Sequence, residues 1–253
     1  MNSLYEKYHE FFEIVIADTP ELLQEVFRIR YQLICVDMRV PEYDPSLYPD
    51  GQEKDNYDNH SAHVLIRYRP SGESIGTVRL IISDPEDPEK PFPIELHTKI
   101  DPALFDIKKL SRRHTGEISR FMIIKKFDRS GAERRSAERR ITIGNTTKTD
   151  RRTIKNLTIV LMAGVVRLCA KHNISNWLAI MEPSLNRLFG YYGLNLNPIG
   201  PITDHYGLRQ PYFIKLTDVL DKMAKEHHDA WEVVTERGKH CHFLKNSVTS
   251  IDN

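Results

Sequence analysis

The hydrophobic pattern of the chain alternates between the two-residue period of strands and the wider spacing of amphipathic helices. The predicted elements are a strand at 11–17, a helix at about 19–36, hairpin strands at 62–68 and 74–82, a short helix near 102–109, a central strand at 116–125, a helix at 154–172, a strand at 177–181, a short helix at 183–192, strands at 194–199 and 210–216, and a C-terminal helix at 217–237. This order predicts an α/β (α+β) fold built around one central mixed, twisted sheet flanked by helices.

Several of these apolar elements are interrupted by a single charged residue. The predicted central strand reads GEISRFMII, so Glu117 and Arg120 stand immediately before a run that suits a buried strand. Arg79 interrupts the second hairpin strand, and Arg30 lies beside the apolar stripe of the first helix. A charge against a buried element must be paired or must serve a function. The sequence leaves both open, as a structural ion network or as a site.

The spacing of Glu117 and Arg120 raises a geometric question. Residues three apart on a regular strand point to opposite faces of the sheet. If both side chains reach one site, the strand needs a bulge near Ser119. Otherwise Arg120 supports the residues that contact the substrate.

A polar, proline-rich segment follows the first helix at residues 37–61 and ends in EKDNYDNH. Its Asp55 and Asp58 could hold a metal, cap a turn or lie in solvent. No further cluster with the spacing of metal ligands supports a metal site, so we predict none.

Residues 126–153 form a basic insertion with few apolar positions. Its arginines include Arg134, Arg135, Arg139, Arg140, Arg151 and Arg152, which could bind an acidic partner. The alternative is a solvated loop. Nucleic-acid binding is not predicted, because no aromatic interleaving accompanies the arginines.

Composition limits the broad class of protein. The 253 residues carry a net charge of +1, and 40% of them are hydrophobic, which suits one large domain or two small ones. Three cysteines without a CxxC favour a reducing compartment, and neither a signal peptide nor a membrane span is recognisable. We expect a cytoplasmic protein with no transmembrane segment. The whole chain, 1–253, is predicted to be one domain whose C-terminal helix and polar tail occupy about 217–253.

The charged stretches IRYQLI, EKDNYD, GTVRLI and EISRFMI occur in an order that resembles the acyl-homoserine-lactone (autoinducer) synthases. The resemblance covers about residues 20–125. Chain length, the arginine-rich insertion and the stretch MEPSLNRL from Met181 resemble two sister families, the long-chain N-acyl amino acid synthases and the acyltransferases associated with PEP-CTERM/exosortase systems. All share the GNAT (N-acetyltransferase-like) fold, which the element order also fits.

The resemblance implies transfer of a long-chain acyl group from the phosphopantetheine thioester of acyl carrier protein to the amine of an amino acid. Glu117 is then the expected base. The backbone amides of Phe121, Met122 and Ile123 are expected to stabilise the tetrahedral oxyanion. No bound cofactor is expected, since the acyl-carrier thioester is a co-substrate. The resemblance also implies that the insertion arginines named above dock the acidic carrier protein.

The amine substrate brings a carboxylate that requires a cation. Arg30, Arg79 or Arg120 could bind it with two hydrogen bonds, while Asp55 and Asp58 hold these arginines or bind the substrate ammonium.

Two alternatives remain. One is an acyl-homoserine-lactone synthase that uses S-adenosylmethionine; against it, the loop after the first helix has tyrosines where those enzymes place a tryptophan. The other is a non-catalytic GNAT-like module that binds an acyl group or a carrier protein.

Overall fold

The computed structural model describes residues 3–124, 157–204 and 207–241. The helices are α1 (Leu4–Phe11), α2 (Pro20–Tyr31), α3 (Pro93–His97), α4 (Leu157–His172), α5 (Pro183–Gly190), α6 (Leu216–Glu226) and α7 (His228–Thr235). The strands are β1 (Phe12–Ile16), β2 (Ser61–Tyr68), β3 (Glu73–Ile82), β4 (Thr115–Ile123), β5 (Asn176–Met181), β6 (Asn197–Pro198), β7 (Thr203–Asp204) and β8 (Leu208–Lys215).

Within these residues, eight strands form one mixed sheet in the order β1-β2-β3-β4-β5-β8-β6, with β7 paired to β8. Neighbouring pairs are antiparallel except β4 and β5, which run parallel. The predicted α/β architecture with a central mixed sheet is confirmed. No helix in the described part of the chain has the length and apolar character that crossing a membrane requires.

Local signals explain where the first helices begin. Thr19 caps α2 by accepting a hydrogen bond from the Leu22 amide, and Pro20 occupies the first turn, as predicted. Helix α1 was not predicted, although Ser3 and Glu6 form a reciprocal capping box at its start. The strand predicted at 11–17 includes Phe11, which is the last residue of α1.

Two predicted helices were wrong. The C-terminal helix is two helices, because His227 leaves the helical conformation at φ −136° and separates α6 from α7. Residues 102–109 form turns and a 3-10 turn at Ile107–Lys109, capped by Asp106. A short helix, α3, lies upstream instead, where Pro93 and Glu95 provide the start signals.

The two faces of the sheet are covered by different elements. Helix α4 lies on one face, where Gly164 packs directly against Val64 of β2. On the other face, Val26 of α2 packs on Leu65 of β2. Because β2 side chains alternate between faces, adjacent residues Val64 and Leu65 enter the two separate layers.

The parallel strands β4 and β5 separate part-way along their length. Their pairing runs from Thr115 opposite Asn176 to Ile118 opposite Ala179, whereas β4 continues to Ile123 and β5 to Met181. The unpaired portions leave a gap in the middle of the sheet.

The contact between α4 and β2 predicts a stability defect for Gly164→Val. A Cβ at this position would lie 2.8 Å from Val64 Cγ2, so the helix must move away from the sheet. We expect the free energy of unfolding to fall by about 1–3 kcal/mol in urea denaturation. Lys171→Val places the same side chain at an exposed position of α4 and should change it by less than about 0.5 kcal/mol. Equal stability of the two variants would contradict the packing argument.

Candidate active site

A bulge in β4 brings Arg120 to the same face of the sheet as Glu117. Thr77 pairs with Met122 but Arg79 pairs with Ser119, so β4 places Arg120 and Phe121 opposite one residue of β3. Arg120 has a φ of +52°, a left-handed conformation that a non-glycine residue adopts only where its surroundings enforce it. The structure thus contains the bulge that the sequence analysis gave as one alternative.

The face that carries Glu117 also holds a buried ion network. Arg30 at the end of α2 is fully buried and donates from Nε to Glu53 at 2.5 Å. Its Nη1 and Nη2 donate to the two carboxylate oxygens of Asp58 at 2.7 and 3.1 Å. All three donor nitrogens of Arg30 are therefore engaged, which fits a bracing role better than contact with a substrate.

Glu53 is the centre of the network because it binds two arginines. It is fully buried, and its Oε2 accepts from both Arg30 and Arg120, the latter at 3.1 Å. Its Oε1 accepts from Arg120 Nη2 at 2.8 Å, so Arg120 binds it with a fork of two hydrogen bonds. Arg120 Nη2 also lies 3.2 Å from the Tyr43 hydroxyl, and its guanidinium stands 5.3 Å from the Tyr43 ring centroid.

Arg79 and Asp55 complete the network on the cavity side. Arg79 donates from Nε to Ser119 Oγ at 2.8 Å and from Nη1 to Asp55 at 2.6 Å and Asp58 at 2.8 Å. The other oxygen of Asp55 accepts from Arg120 at 3.2 Å. The predicted site residues Arg30, Asp55, Asp58, Arg79 and Arg120 are therefore brought together in one cluster.

A short 3-10 helix, Asn56–His60, fixes the two aspartates. Asp55 caps it by accepting from the Tyr57 amide, and Asp58 accepts from the Asp55 amide at 2.7 Å. The DxxD pair is thus a capping box whose remaining lone pairs bind arginines. Capping was one of the alternatives that the sequence left open.

The network shifts its acids toward the charged form. Burial alone raises the pKa of Glu53, but the hydrogen bonds from Arg120 and Arg30 outweigh it and hold that pKa at about 2. Burial likewise opposes ionisation of Asp58, yet Arg30 lowers its pKa well below the usual range. Burial, reinforced by the charge of Arg30, lowers the pKa of nearby His63 to about 3, so His63 is neutral at pH 7. Three arginines thus face three carboxylates, and the charges cancel.

Glu117 lies outside this network and behaves in the opposite way. Its side chain is buried, with 2% of the residue exposed, and Oε2 accepts from the Ile94 amide of α3 at 2.9 Å. Burial raises its pKa to about 8, against the smaller lowering effects of the Ile94 hydrogen bond and Arg79. A carboxyl that exchanges its proton near neutral pH is suited to general acid–base chemistry.

A cavity of about 830 Å³ connects Glu117 to the gap between β4 and β5. Its walls include Asp55 and Tyr57 from one face of the sheet and Met162 of α4 from the other, so the cavity passes through the gap. The lining of the cavity has two parts. One part is polar and is formed by Glu117, Asp55, Arg79 and Arg120, and the other is apolar and begins at residues 121–123. The apolar wall is completed by Leu33, Ile34, Met162, Met181, Leu185 and Phe189. The volume and mixed lining are typical of a small-molecule site.

The predicted oxyanion amides differ in their direction. The Ile124 amide donates to the Ile75 carbonyl of β3 at 2.8 Å. Because amides alternate in direction along a strand, the Ile123 amide points away from β3 and toward the gap. By the same alternation the Met122 amide faces β3, where Met122 pairs with Thr77, and it is not directed at the gap. The amide of Phe121, at the bulge, remains a prediction. The arginines of the insertion, Arg134, Arg135, Arg139, Arg140, Arg151 and Arg152, lie outside the described residues.

Sequence reasoning missed Glu53, Tyr43 and His63. A count of charges could have indicated Glu53, since three arginines beside two aspartates require a third carboxylate in a buried cluster. Tyr43 and His63 had no comparable signal. The π-helical turn Gln32–Asp37, which turns Leu33 and Ile34 toward the cavity at the end of α2, was likewise unexpected.

Residues 29–136 match the family model of the GNAT acetyltransferase domain. The matched segment contains every member of the ion network together with Glu117. No curated protein matches the sequence as a relative.

Solved structures support the same fold. The CoA-dependent acyl-homoserine lactone synthase BjaI, solved with SAM and isopentyl-CoA, is 18% identical, with a TM-score of 0.56 over 89% of this chain and 99% of that one. The acyl-homoserine lactone synthase LasI is 17% identical, with a TM-score of 0.50 over 81% and 90%. FeeM, an N-acyl amino acid synthase from uncultured soil microbes, is 11% identical, with a TM-score of 0.47 over 83% of this chain and 94% of that one.

The predicted GNAT-like fold is therefore confirmed, as is the resemblance to acyl-homoserine-lactone synthases at the level of the fold. The GNAT match supports the prediction that the chain is an acyltransferase. Identities below 20% show a shared fold, and the acyl donor and the amine acceptor are proposed from the side chains of the site.

The geometry of the network predicts a large effect for Glu53→Gln. The variant leaves Arg30 and Arg120 without their shared counter-charge, so we expect the free energy of unfolding at pH 7 to fall by about 3–5 kcal/mol. The folded pKa of Glu53 lies below its ordinary value of 4.5, so its contribution is present above pH 4.5 and is lost as the pH falls toward about 2. Urea denaturation of the wild type should show this loss, and the variant should show a shallower acid dependence.

The matched control is Asp50→Asn, which removes an exposed carboxylate of the same loop. It should change the free energy of unfolding by less than about 0.5 kcal/mol. If Glu53→Gln is as stable as this control, Glu53 is not the centre of the network.

Proposed function

We propose that this protein is an N-acyltransferase that moves an acyl group from a thioester to the amine of an amino acid, giving an amide. The observation that carries the proposal is the Glu117 carboxyl, which no arginine of the described residues pairs, in the wall of a cavity that passes through the strand gap of a GNAT-like fold. Burial raises the pKa of this carboxyl to about 8. The connection of Glu117 to a cavity argues against a module that only binds its ligand.

The proposed reaction begins with deprotonation of the substrate ammonium. The ionised Glu117 carboxylate takes the proton, directly or through a water, and the neutral amine attacks the thioester carbonyl. A C–N bond forms as the carbonyl oxygen becomes an oxyanion, which the Ile123 amide is oriented to stabilise. The C–S bond then breaks, and the leaving thiolate takes the proton held by Glu117. The nitrogen gives up its remaining excess proton to the Glu117 carboxylate, which releases it to water and leaves a neutral amide. The carboxylate is thereby restored.

Two guanidinium nitrogens are suited to the acceptor's carboxylate. Across the described residues, Arg79 Nη2 and Arg120 Nη1 make no hydrogen bond, and both side chains line the cavity. Asp55, whose side chain is 31% exposed, is the acid of the network most open to a substrate ammonium. Arg30 and Asp58 would hold these groups in position without touching the substrate.

The acyl chain would lie along the apolar part of the cavity. Phe121 and Phe189 meet there edge to face with ring centroids 5.4 Å apart. Met162 and Met181 belong to the same wall and can adapt to chains of different shape because their side chains are flexible.

The proposed donor is acyl carrier protein, with the insertion arginines as its docking surface. Acyl-CoA is the alternative donor, since BjaI is CoA-dependent by its description. The second candidate function is an acyl-homoserine-lactone synthase, favoured by the shared fold with an enzyme solved with SAM.

Glu117→Gln should lower turnover by about 100-fold or more while the free energy of unfolding stays within about 1 kcal/mol of the wild type. Because the base must be ionised, wild-type turnover should rise as the pH increases through about 8 and then level off. Steady-state rates from pH 6 to 9.5 test this. Glu86→Gln, on an exposed loop, is the control. Wild-type turnover in Glu117→Gln would remove Glu117 as the base.

Mass spectrometry of lipid extracts from a host that expresses the protein should reveal a new N-acyl amino acid. An acyl-homoserine lactone would instead support the second candidate, and no new product would support a binding module.

With the purified enzyme, we expect turnover with acylated acyl carrier protein to exceed turnover with acyl-CoA at equal chain length.

Changing Arg134, Arg135, Arg139 and Arg140 to Glu should weaken carrier-protein binding at low salt. Unchanged affinity would remove the docking proposal.

A further inference from the structure

The hydrogen bond to Glu117 comes from a helix that is too short to be stable alone. Within the described part of the chain, the Glu117 carboxyl accepts one hydrogen bond, from the Ile94 amide. Ile94 belongs to α3, which has five residues, far below the roughly 12 that an isolated helix needs for even marginal stability in water. Contacts outside α3 must therefore fix the position of this amide.

Those contacts converge on Glu95, the residue next to Ile94. Its Oε1 accepts from the Phe92 amide at 2.8 Å and closes the start of the helix. Arg112 binds the same carboxylate with a fork, from Nη1 to Oε1 at 2.7 Å and from Nη2 to Oε2 at 2.9 Å. The Arg112 guanidinium also stands 5.6 Å from the centroid of the Phe92 ring. Side-chain exposures of 20% for Arg112 and 15% for Glu95 shield this pair from solvent.

Arg112 lies three residues before β4, the strand that carries Glu117. Arg112, just before β4, therefore binds Glu95 of α3. The neighbouring Ile94 amide of α3 in turn donates to Glu117 of β4, so α3 is tied to β4 at two points. Extending the proposed role of Glu117 as base, we propose that Arg112 is a positioning residue that holds α3 against β4 so that the Ile94 amide stays directed at the Glu117 carboxylate. Arg112 does not itself touch the reacting atoms.

The charged groups around Glu117 give Arg112 a second effect. Arg79 on β3 favours the ionised form, and Glu95 on α3 opposes it. His97 of α3 and Tyr57 of the 3-10 helix line the same cavity, whereas β5 contributes the apolar Leu178. Arg112 neutralises Glu95, so its removal both releases the Ile94 amide and leaves a negative charge uncompensated. Both changes raise the pKa of Glu117.

The first test measures Glu117 directly and requires no substrate. Carboxyl carbons of glutamate-labelled protein are titrated by NMR, and the Glu117 signal is assigned by its loss in Glu117→Gln. Arg112→Met keeps apolar bulk over Phe92 but removes the fork, and we expect the Glu117 pKa to rise by about 1 pH unit. Arg113→Met removes the exposed neighbouring arginine and should leave the pKa unchanged.

The second test separates positioning from general damage to the fold. A pKa that rises from about 8 to about 9 reduces the ionised fraction of Glu117 about tenfold at pH 7 but less than about twofold at pH 9.5. Turnover of Arg112→Met should follow this pattern. A structural defect alone would lower turnover by the same factor at both pH values. Arg112→Lys keeps the charge without the planar fork, so it should fall between the wild type and Arg112→Met, and it replaces that variant if Arg112→Met does not fold.

Three outcomes overturn the proposal: an unchanged Glu117 pKa in both Arg112 variants, an equal rise in Arg113→Met, or a loss of turnover that does not depend on pH. Failure of the proposed function looks different. In that case Glu117→Gln keeps wild-type turnover, while the NMR titration still reports whether Arg112 sets the pKa of Glu117.

Discussion

The site depends on one electrostatic constraint, the burial of three guanidinium groups on one face of a sheet. A buried charge is tolerated only when it is paired and hydrogen-bonded. Glu53 meets this requirement for both Arg30 and Arg120, and the capped Asp55–Asp58 turn meets it for Arg79. The loop that supplies these acids is therefore fixed to α2, β3 and β4 at once, and it forms one wall of the cavity.

The acids of the site divide into two classes by their partners. Glu53 and Asp58 are surrounded by arginines and stay ionised far below neutral pH. Glu117 stands on the same face, but among the described residues it receives only an amide hydrogen bond, so burial dominates and its pKa rises to about 8. The environment alone therefore lowers the pKa of one set of carboxylates and raises the pKa of the neighbouring one.

The gap between β4 and β5 connects the polar cluster to an apolar wall. Where the parallel pairing ends, the cavity crosses the sheet and places the apolar wall next to the polar one. The bulge at Arg120 occurs at the same level of β4, and its left-handed residue points the guanidinium back toward Glu53. Three features therefore lie within a few residues of β4: the left-handed backbone at Arg120, the end of the pairing with β5, and the buried Glu117 carboxyl. Such clustering is typical of functional sites.

The sequence by itself determined the α/β class, the order of the main strands with the helices α2, α4 and α5 between them, and five of the charged residues of the network. Apolar periodicity and charges within apolar runs are local signals, so these features could be predicted. It could not separate α1 from β1, place the break at His227 or find Glu53, whose role depends on side chains that are 23 and 67 residues away along the chain. It left open whether Glu117 and Arg120 share a face. Only the tertiary structure decided this, because the register of β3 against β4 creates the bulge. Tertiary structure also decided that no arginine of the described residues pairs with Glu117, so burial raises its pKa to about 8.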